Sequence, residues 1–239
     1  MKKLFSKLNS TLHVTRYTLR DSRGLTFIEL IVVAAIFSIL AAVSLFRFGG
    51  FTASVSLQNV SQDIALRLVQ AQRDGSSGAY PRLRQDQVTI LPIPWSPPTY
   101  GVHFDVAEED KFHYFFDNMI GGVLNEYDSG TSYPECTGSD SECLEKITIN
   151  SGDKIIGLCV EMGTILCPTD SVGNFVSTSV SKIDIVFKRP NLSAFIYPFD
   201  SGNNPITGNV TSAKISVQSK DGEHYKIITV YPVGQITVE

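Results

Sequence analysis

The chain has 239 residues, of which 43% are hydrophobic and 18% charged, which suits one folded domain with an appendage and excludes an intrinsically disordered protein. Its charge is uneven, because residues 1–24 hold six Lys or Arg and one Asp, a net charge of +5, and the rest of the chain carries −9. The acidic body disfavours nucleic acid as a partner, since phosphate binding requires Lys and Arg, although a small cationic patch would still permit it.

The basic N-terminal segment is followed by a long apolar run. Residues 25–46 contain one charged side chain, Glu29, and as a helix they would extend over about 33 Å, which is enough to cross a membrane. Because the basic residues precede the run, we expect a single-pass protein of the cytoplasmic membrane, with the N-terminus inside and the C-terminus outside. A secretory signal peptide is disfavoured, because its apolar core is shorter and no small-x-small cleavage site follows this run. A plain membrane anchor is the alternative.

Glu29 is the unusual residue of this run, since a carboxylate inside a membrane costs about 2.5–3.5 kcal/mol on insertion scales. Residues 23–30 read Arg-Gly-Leu-Thr-Phe-Ile-Glu-Leu. This string resembles the cleavage and methylation motif of type IV prepilins and of type II secretion pseudopilins. The resemblance implies a cytoplasmic leader at 1–24, cleavage between Gly24 and Leu25 by a prepilin peptidase that also methylates the new N-terminus at Leu25, and a role for Glu29 in assembly.

The resemblance also implies how such a subunit is used. The helix 25–46 lies in membrane lipid until an inner-membrane assembly platform transfers it into a filament of other pilin or pseudopilin subunits. There the positive amine of Leu25 pairs with Glu29 of a neighbour, and this pair sets the axial register of the subunits. The alternative is that Glu29 only reaches the membrane surface. Leu25 stands where the family most often has phenylalanine, another bulky apolar residue. Many major pilins have a proline near the end of the apolar run, and its absence here, where the chain reaches Gly49-Gly50, favours a minor pilin or a pseudopilin.

Residues 47–74 are predicted to continue the helix as an amphipathic segment. Apolar residues recur there at spacings of three and four, at Leu57, Val60, Ile64, Leu68 and Ala71. Residues 74–78 read Asp-Gly-Ser-Ser-Gly and predict the end of the helix. We expect the apolar stripe to pack on a sheet, with a coiled coil as the alternative. The two glycines at 49–50 mark a point where the helix could loosen.

The remainder, 75–239, is predicted to be a β-rich exported domain. Short runs rich in Val, Ile, Thr, Phe and Tyr give ten candidate strands, at 87–91, 100–105, 111–116, 146–150, 154–160, 176–187, 193–197, 212–218, 224–231 and 235–238. Hairpin turns are predicted at 220–222 and 232–234. The expected fold class is α+β, with the long N-terminal helix packed on an antiparallel sheet domain. The strand pattern also resembles, more loosely, the H-type pseudopilin and its minor-pilin relatives, with residues 121–175 as a cysteine-containing insertion.

All four cysteines lie in the exported domain, at Cys136, Cys143, Cys159 and Cys167. An even number of cysteines on the oxidising side of a membrane indicates disulfides. Three pairings are possible, and we favour Cys136–Cys143 with Cys159–Cys167 because each bridge closes a short loop. A zinc site is the alternative, although the usual Cys-x2–4-Cys spacing is absent.

Other chemistry has little support in the sequence. The motifs His-Glu-x-x-His and Gly-x-Ser-x-Gly and the phosphate-binding loop are absent. His103 and His224 fall in strand-like runs and are expected to be surface or half-buried sheet residues, and acidic loops such as 105–110 lack the spacing of an EF-hand calcium site. We therefore expect no enzyme, no cofactor and no metal, and interpret the chain as a structural filament subunit. The alternative function is a membrane-tethered protein whose β domain binds an extracellular ligand.

Overall fold

The structure is a computed structural model that describes residues 26–78, 99–117, 127, 136, 142–163, 166–175, 179–190 and 192–239, without the side chains of 45–49. The chain divides into two compact units, residues 1–47 and 48–239. The predicted leader, the residues Gly24 and Leu25, and the candidate strand 87–91 lie outside the described residues.

The helix α1 extends from Phe27 to Ser77 as one element of 51 residues. The glycines at 49–50 lie within this helix and do not interrupt it. The helix ends three residues later than the predicted boundary at 74, where the Ser76 and Ser77 hydroxyls donate to carbonyl groups of the preceding turn. Gly78 then adopts a φ of +59°, a conformation that favours glycine and is common directly after a helix.

The apolar stripe of α1 is buried in the second unit, as predicted. Leu57, Ile64, Leu68 and Ala71 are each exposed by 2% or less, and they share one core with apolar residues of both sheets. Burial of a Leu or Ile side chain contributes about 1.5–3 kcal/mol. The stripe is therefore the main apolar attachment between this part of the helix and the sheets.

Polar contacts fix the same part of the helix near its beginning and its end. Ser56 donates a hydrogen bond of 2.6 Å to Asp153, which is itself buried. The Tyr114 hydroxyl donates to Asp74 at 2.8 Å, and burial together with this bond raises the pKa of the Tyr114 phenol. These contacts fix the rotation of the helix on the sheets and so decide which of its faces is left exposed.

The described part of the second unit also contains nine strands in two antiparallel sheets. They are β1 Thr99–Asp105, β2 Lys111–Asp117, β3 Cys143–Thr148, β4 Lys154–Met162, β5 Lys182–Phe187, β6 Ala194–Phe199, β7 Val210–Gln218, β8 Tyr225–Val230 and β9 Ile236–Val238. The first sheet has the order β3-β2-β1-β5-β6, and the second has the order β4-β7-β8-β9. The fold class is α+β, as predicted.

The predicted antiparallel strands are grouped into two sheets, a division that the strand runs did not specify. The grouping depends on the pairing of β1 with β5 and of β4 with β7, strands that are distant in the chain. Of the candidate strand 176–187, residues 176–178 lie outside the described residues, 179–181 are not in a strand, and β5 begins at Lys182. The turns at 220–222 and 232–234 join neighbouring strands as predicted, and Gly222 and Gly234 have φ values of +75° and +87°.

Candidate processing and assembly site

The first turn of α1 is held by a reciprocal contact between Thr26 and Glu29. The Thr26 amide and hydroxyl both donate to Glu29 Oε2 at 2.9 Å, and the Glu29 amide donates back to Thr26 Oγ1 at 3.3 Å. This arrangement is a capping box, in which side chains satisfy N–H groups that the first turn of a helix leaves open. The positive end of the helix dipole also favours a carboxylate at this place. Glu29 therefore has hydrogen-bond partners within its own subunit.

The helix that follows presents an apolar surface. The segment Phe27–Ser44 has a mean hydropathy of 2.5, none of its residues is buried, and it is the one stretch within the described residues that is long and apolar enough to cross a membrane. The rings of Phe27 and Phe37 are 79% and 71% exposed. Leu30, Val33 and Ala34 line a shallow apolar depression together with Phe37. A surface of this kind is stable only against lipid or against other apolar helices.

The N-terminal region corresponds to a known sequence motif. Residues 19–45 match the prokaryotic N-terminal methylation motif. This motif is the hallmark of type IV prepilin-like proteins, so the resemblance drawn from residues 23–30 is confirmed. No curated protein and no solved structure matches the chain. The matched motif covers only the start of the chain and does not extend into the β domain.

The methylation motif includes the three residues singled out in the sequence. Gly24 and Leu25, the predicted cleavage pair, lie within 19–45 but outside the described residues, and their processing stays a prediction. Glu29 lies in the first turn of α1, and its role in assembly also stays a prediction. Thr26 was not identified from the sequence, although the spacing Thr-x-x-Glu is the signature of a capping box and was available to identify it.

The second half of α1 exposes an apolar stripe of its own. Phe51, Val55, Leu66 and Val69 are 68%, 43%, 65% and 47% exposed. At 100° per residue they fall within an arc of about 60°, on the side of the helix opposite to the buried stripe. We call these four residues the outer stripe. Exposed apolar side chains grouped on one face are typical of a surface that packs against another protein.

The four cysteines form two short-range disulfides in the structure. Cys136 is linked to Cys143 and Cys159 to Cys167, at sequence separations of seven and eight residues. Cys143 begins β3 and Cys159 lies within β4, and each of these strands is at the edge of its sheet. Each bridge therefore attaches a loop to an edge strand.

Peptide mapping without reduction, on protein purified from the cell envelope, is expected to recover these two pairs. In the chain-entropy account, a disulfide that closes a loop of this length stabilises the fold by about 2–3 kcal/mol. Replacing Cys159 and Cys167 together by serine removes one bridge and should therefore lower the free energy of unfolding by that amount. Four free thiols would contradict the assignment of disulfides, and crossed pairs would contradict only the pairing.

A cluster of buried polar residues lies on the outer face of the first sheet. His103 on β1 is in register with His113 on β2 and with Asp184 on β5. These three residues are 8%, 6% and 1% exposed, so the expected surface or half-buried position of His103 is wrong, whereas His224 is exposed. The Tyr127 ring lies against both imidazoles, with its centroid 4.6 Å from that of His103 and 5.5 Å from that of His113.

A polar cavity of about 130 Å³ opens beside His103. Its walls include Asp105, Glu108, Lys182 and Asn203. Two of its carboxylates are engaged in ion pairs, Asp105 with Lys182 at 3.5 Å and Glu108 with a lysine of β2 at 2.9 Å. Within the described ranges, no group of three or more His, Cys, Asp or Glu is arranged to hold a metal ion.

Proposed function

We propose that the chain is a structural subunit, a minor pilin or pseudopilin, of a type IV pilus or of a type II secretion-like filament. The observation that carries the proposal is the methylation motif at 19–45, which leads into a helix with a fully exposed apolar surface. A prepilin peptidase cleaves the chain between Gly24 and Leu25 and methylates Leu25. In this role the protein is the substrate of an enzyme and has no catalytic activity of its own.

Assembly proceeds through the N-terminal helix. Cleavage leaves a positive amine on Leu25, and Glu29 of a neighbouring subunit supplies the opposite charge. While the helix lies in lipid, the capping bonds from Thr26 support the carboxylate, which would otherwise lack partners. In the filament the amine adds a hydrogen bond in which both donor and acceptor are charged, so it neutralises the carboxylate, which the Thr26 amide and hydroxyl cannot do.

The proposed location follows from charge and redox chemistry. The basic leader stays in the cytoplasm, the helix anchors the subunit in the cytoplasmic membrane, and the β domain is outside. The two disulfides suit that oxidising side. After transfer by the assembly platform, the subunit belongs to an extracytoplasmic filament, where the outer stripe offers a second apolar surface to neighbouring subunits.

Cell fractionation with and without prepilin peptidase tests the proposal. In cells with the peptidase we expect the shortened protein in sheared filaments, and in cells without it only the full-length protein, confined to the membrane. A single-pass membrane protein that lacks the methylation motif serves as the control and should not respond to the peptidase. A tethered binding protein would stay in the membrane at full length in both strains, and this outcome would refute the proposal.

A further inference from the structure

The Asp184 carboxylate holds the buried histidine cluster and Tyr127 together. His103 Nδ1 lies 2.5 Å from Asp184 Oδ1, and the Tyr127 amide donates to Asp184 Oδ2 at 2.9 Å. Asp184 therefore connects β5 both to His103 and to the residue that covers the cluster. The Tyr127 ring lies nearly parallel to the His113 imidazole, with an angle of 15° between the two planes.

His113 is the member of the cluster that acid would disturb. It is 94% buried, since 6% of it is exposed, and its Nδ1 has no hydrogen-bond partner among the described residues. Its pKa is lowered to about 4, with burial as the largest cause and the neighbouring His103 as the second. Lys111 and Lys146 act in the same direction, and Glu108, whose Oε2 lies 3.7 Å away, acts in the opposite direction.

We propose that the contact between Tyr127 and the outer face of β1, β2 and β5 is an acid-sensitive attachment that is controlled by protonation of His113. Among the described residues, Lys111 on β2 and Lys146 on β3 are positive neighbours of the imidazole, Glu108 in the β1–β2 turn is shared with Lys111, and the Asp184 carboxylate is engaged by His103. A protonated His113 is therefore poorly compensated while Tyr127 excludes water from it.

The direction of the pH effect follows from the pKa of His113. The folded value of about 4 is below the value of about 6.5 for a hydrated histidine, so the attached state binds fewer protons than the released state. The attachment is fully stable above about pH 6.5 and weakens as the pH falls from there towards 4. Release of Tyr127 would also remove one wall of the polar cavity beside His103.

Hydrogen exchange of the Tyr127 amide in the full-length protein, held in detergent micelles, tests this attachment. After correction for the pH dependence of chemical exchange, we expect its protection to fall by at most about 30-fold between pH 7.5 and 5 in the wild type. In His113→Phe, which keeps an aromatic ring but cannot be protonated, the protection should change by less than about twofold. The substitution His224→Gln, at an exposed histidine, should respond as the wild type does.

Two observations would overturn the proposal. One is an equal acid response in His113→Phe, and the other is a simultaneous loss of protection in β7, which would indicate general acid unfolding. If His113→Phe fails to fold, an NMR titration of the wild type replaces it, and the chain has only four histidines to assign. His113 should then titrate well below pH 6, and a titration midpoint near 6.5 would refute the attachment mechanism.

Discussion

Replacing Glu29 by leucine is expected to reduce incorporation into filaments about tenfold or more, while leaving membrane insertion and cleavage intact. Insertion becomes easier without the carboxylate. Removal of one member of a buried charge pair typically costs about 3–5 kcal/mol, and a third of that is already a factor of about ten in binding. The ratio of sheared-filament protein to membrane protein measures the effect. A plain membrane anchor predicts an unchanged or improved ratio.

Two matched variants separate charge pairing from helix capping. Glu29→Gln keeps a carbonyl oxygen that can accept from the Thr26 amide but removes the charge, so it should assemble as poorly as Glu29→Leu. Thr26→Ala removes the capping hydroxyl and leaves the carboxylate, which costs about 1 kcal/mol of helix stability and should leave most assembly intact. A loss of assembly in Thr26→Ala as large as that in Glu29→Leu would attribute the effect to the cap and contradict pairing between subunits.

Replacing Gly24 by arginine is expected to abolish cleavage completely. By the resemblance to prepilins, Gly24 directly precedes the proposed cut, and a long charged side chain should not fit there. The unprocessed chain then has no amine at Leu25, and no filament protein should form. Gly24→Ala is the matched control, because its small side chain should permit partial cleavage. Normal processing of Gly24→Arg, judged by electrophoretic mobility, would contradict the position of the cleavage site.

The features that could be predicted from the sequence depend on local patterns. The spacing of Leu57, Ile64 and Leu68 repeats within one helix, so the buried stripe was visible without any knowledge of its partner. The β-rich composition of the runs that form β1 and β7 and the glycines in the turns are equally local. Glu29 was found because a charge in an apolar run is conspicuous. Thr26 could have been found from the Thr-x-x-Glu spacing of residues 26–29.

The features that could not be predicted depend on contacts between distant residues. His103 and Asp184 are 81 positions apart, and nothing near either residue indicates that β1 and β5 pair in this register. The Tyr127 ring that lies against His103 and His113 also comes from outside the three strands. The division into two sheets has the same origin, because the pairing of β4 with β7 is a property of the folded chain.

The N-terminal mass of the mature protein tests the central claim most directly. The protein is purified from the envelope of cells with an active prepilin peptidase, and its N-terminal peptide is identified by mass spectrometry. A chain that begins at Leu25 and carries one methyl group on its amine is the expected result. A mature chain that still begins at Met1, or one that is cut at another position, would contradict the interpretation of this protein as a processed filament subunit.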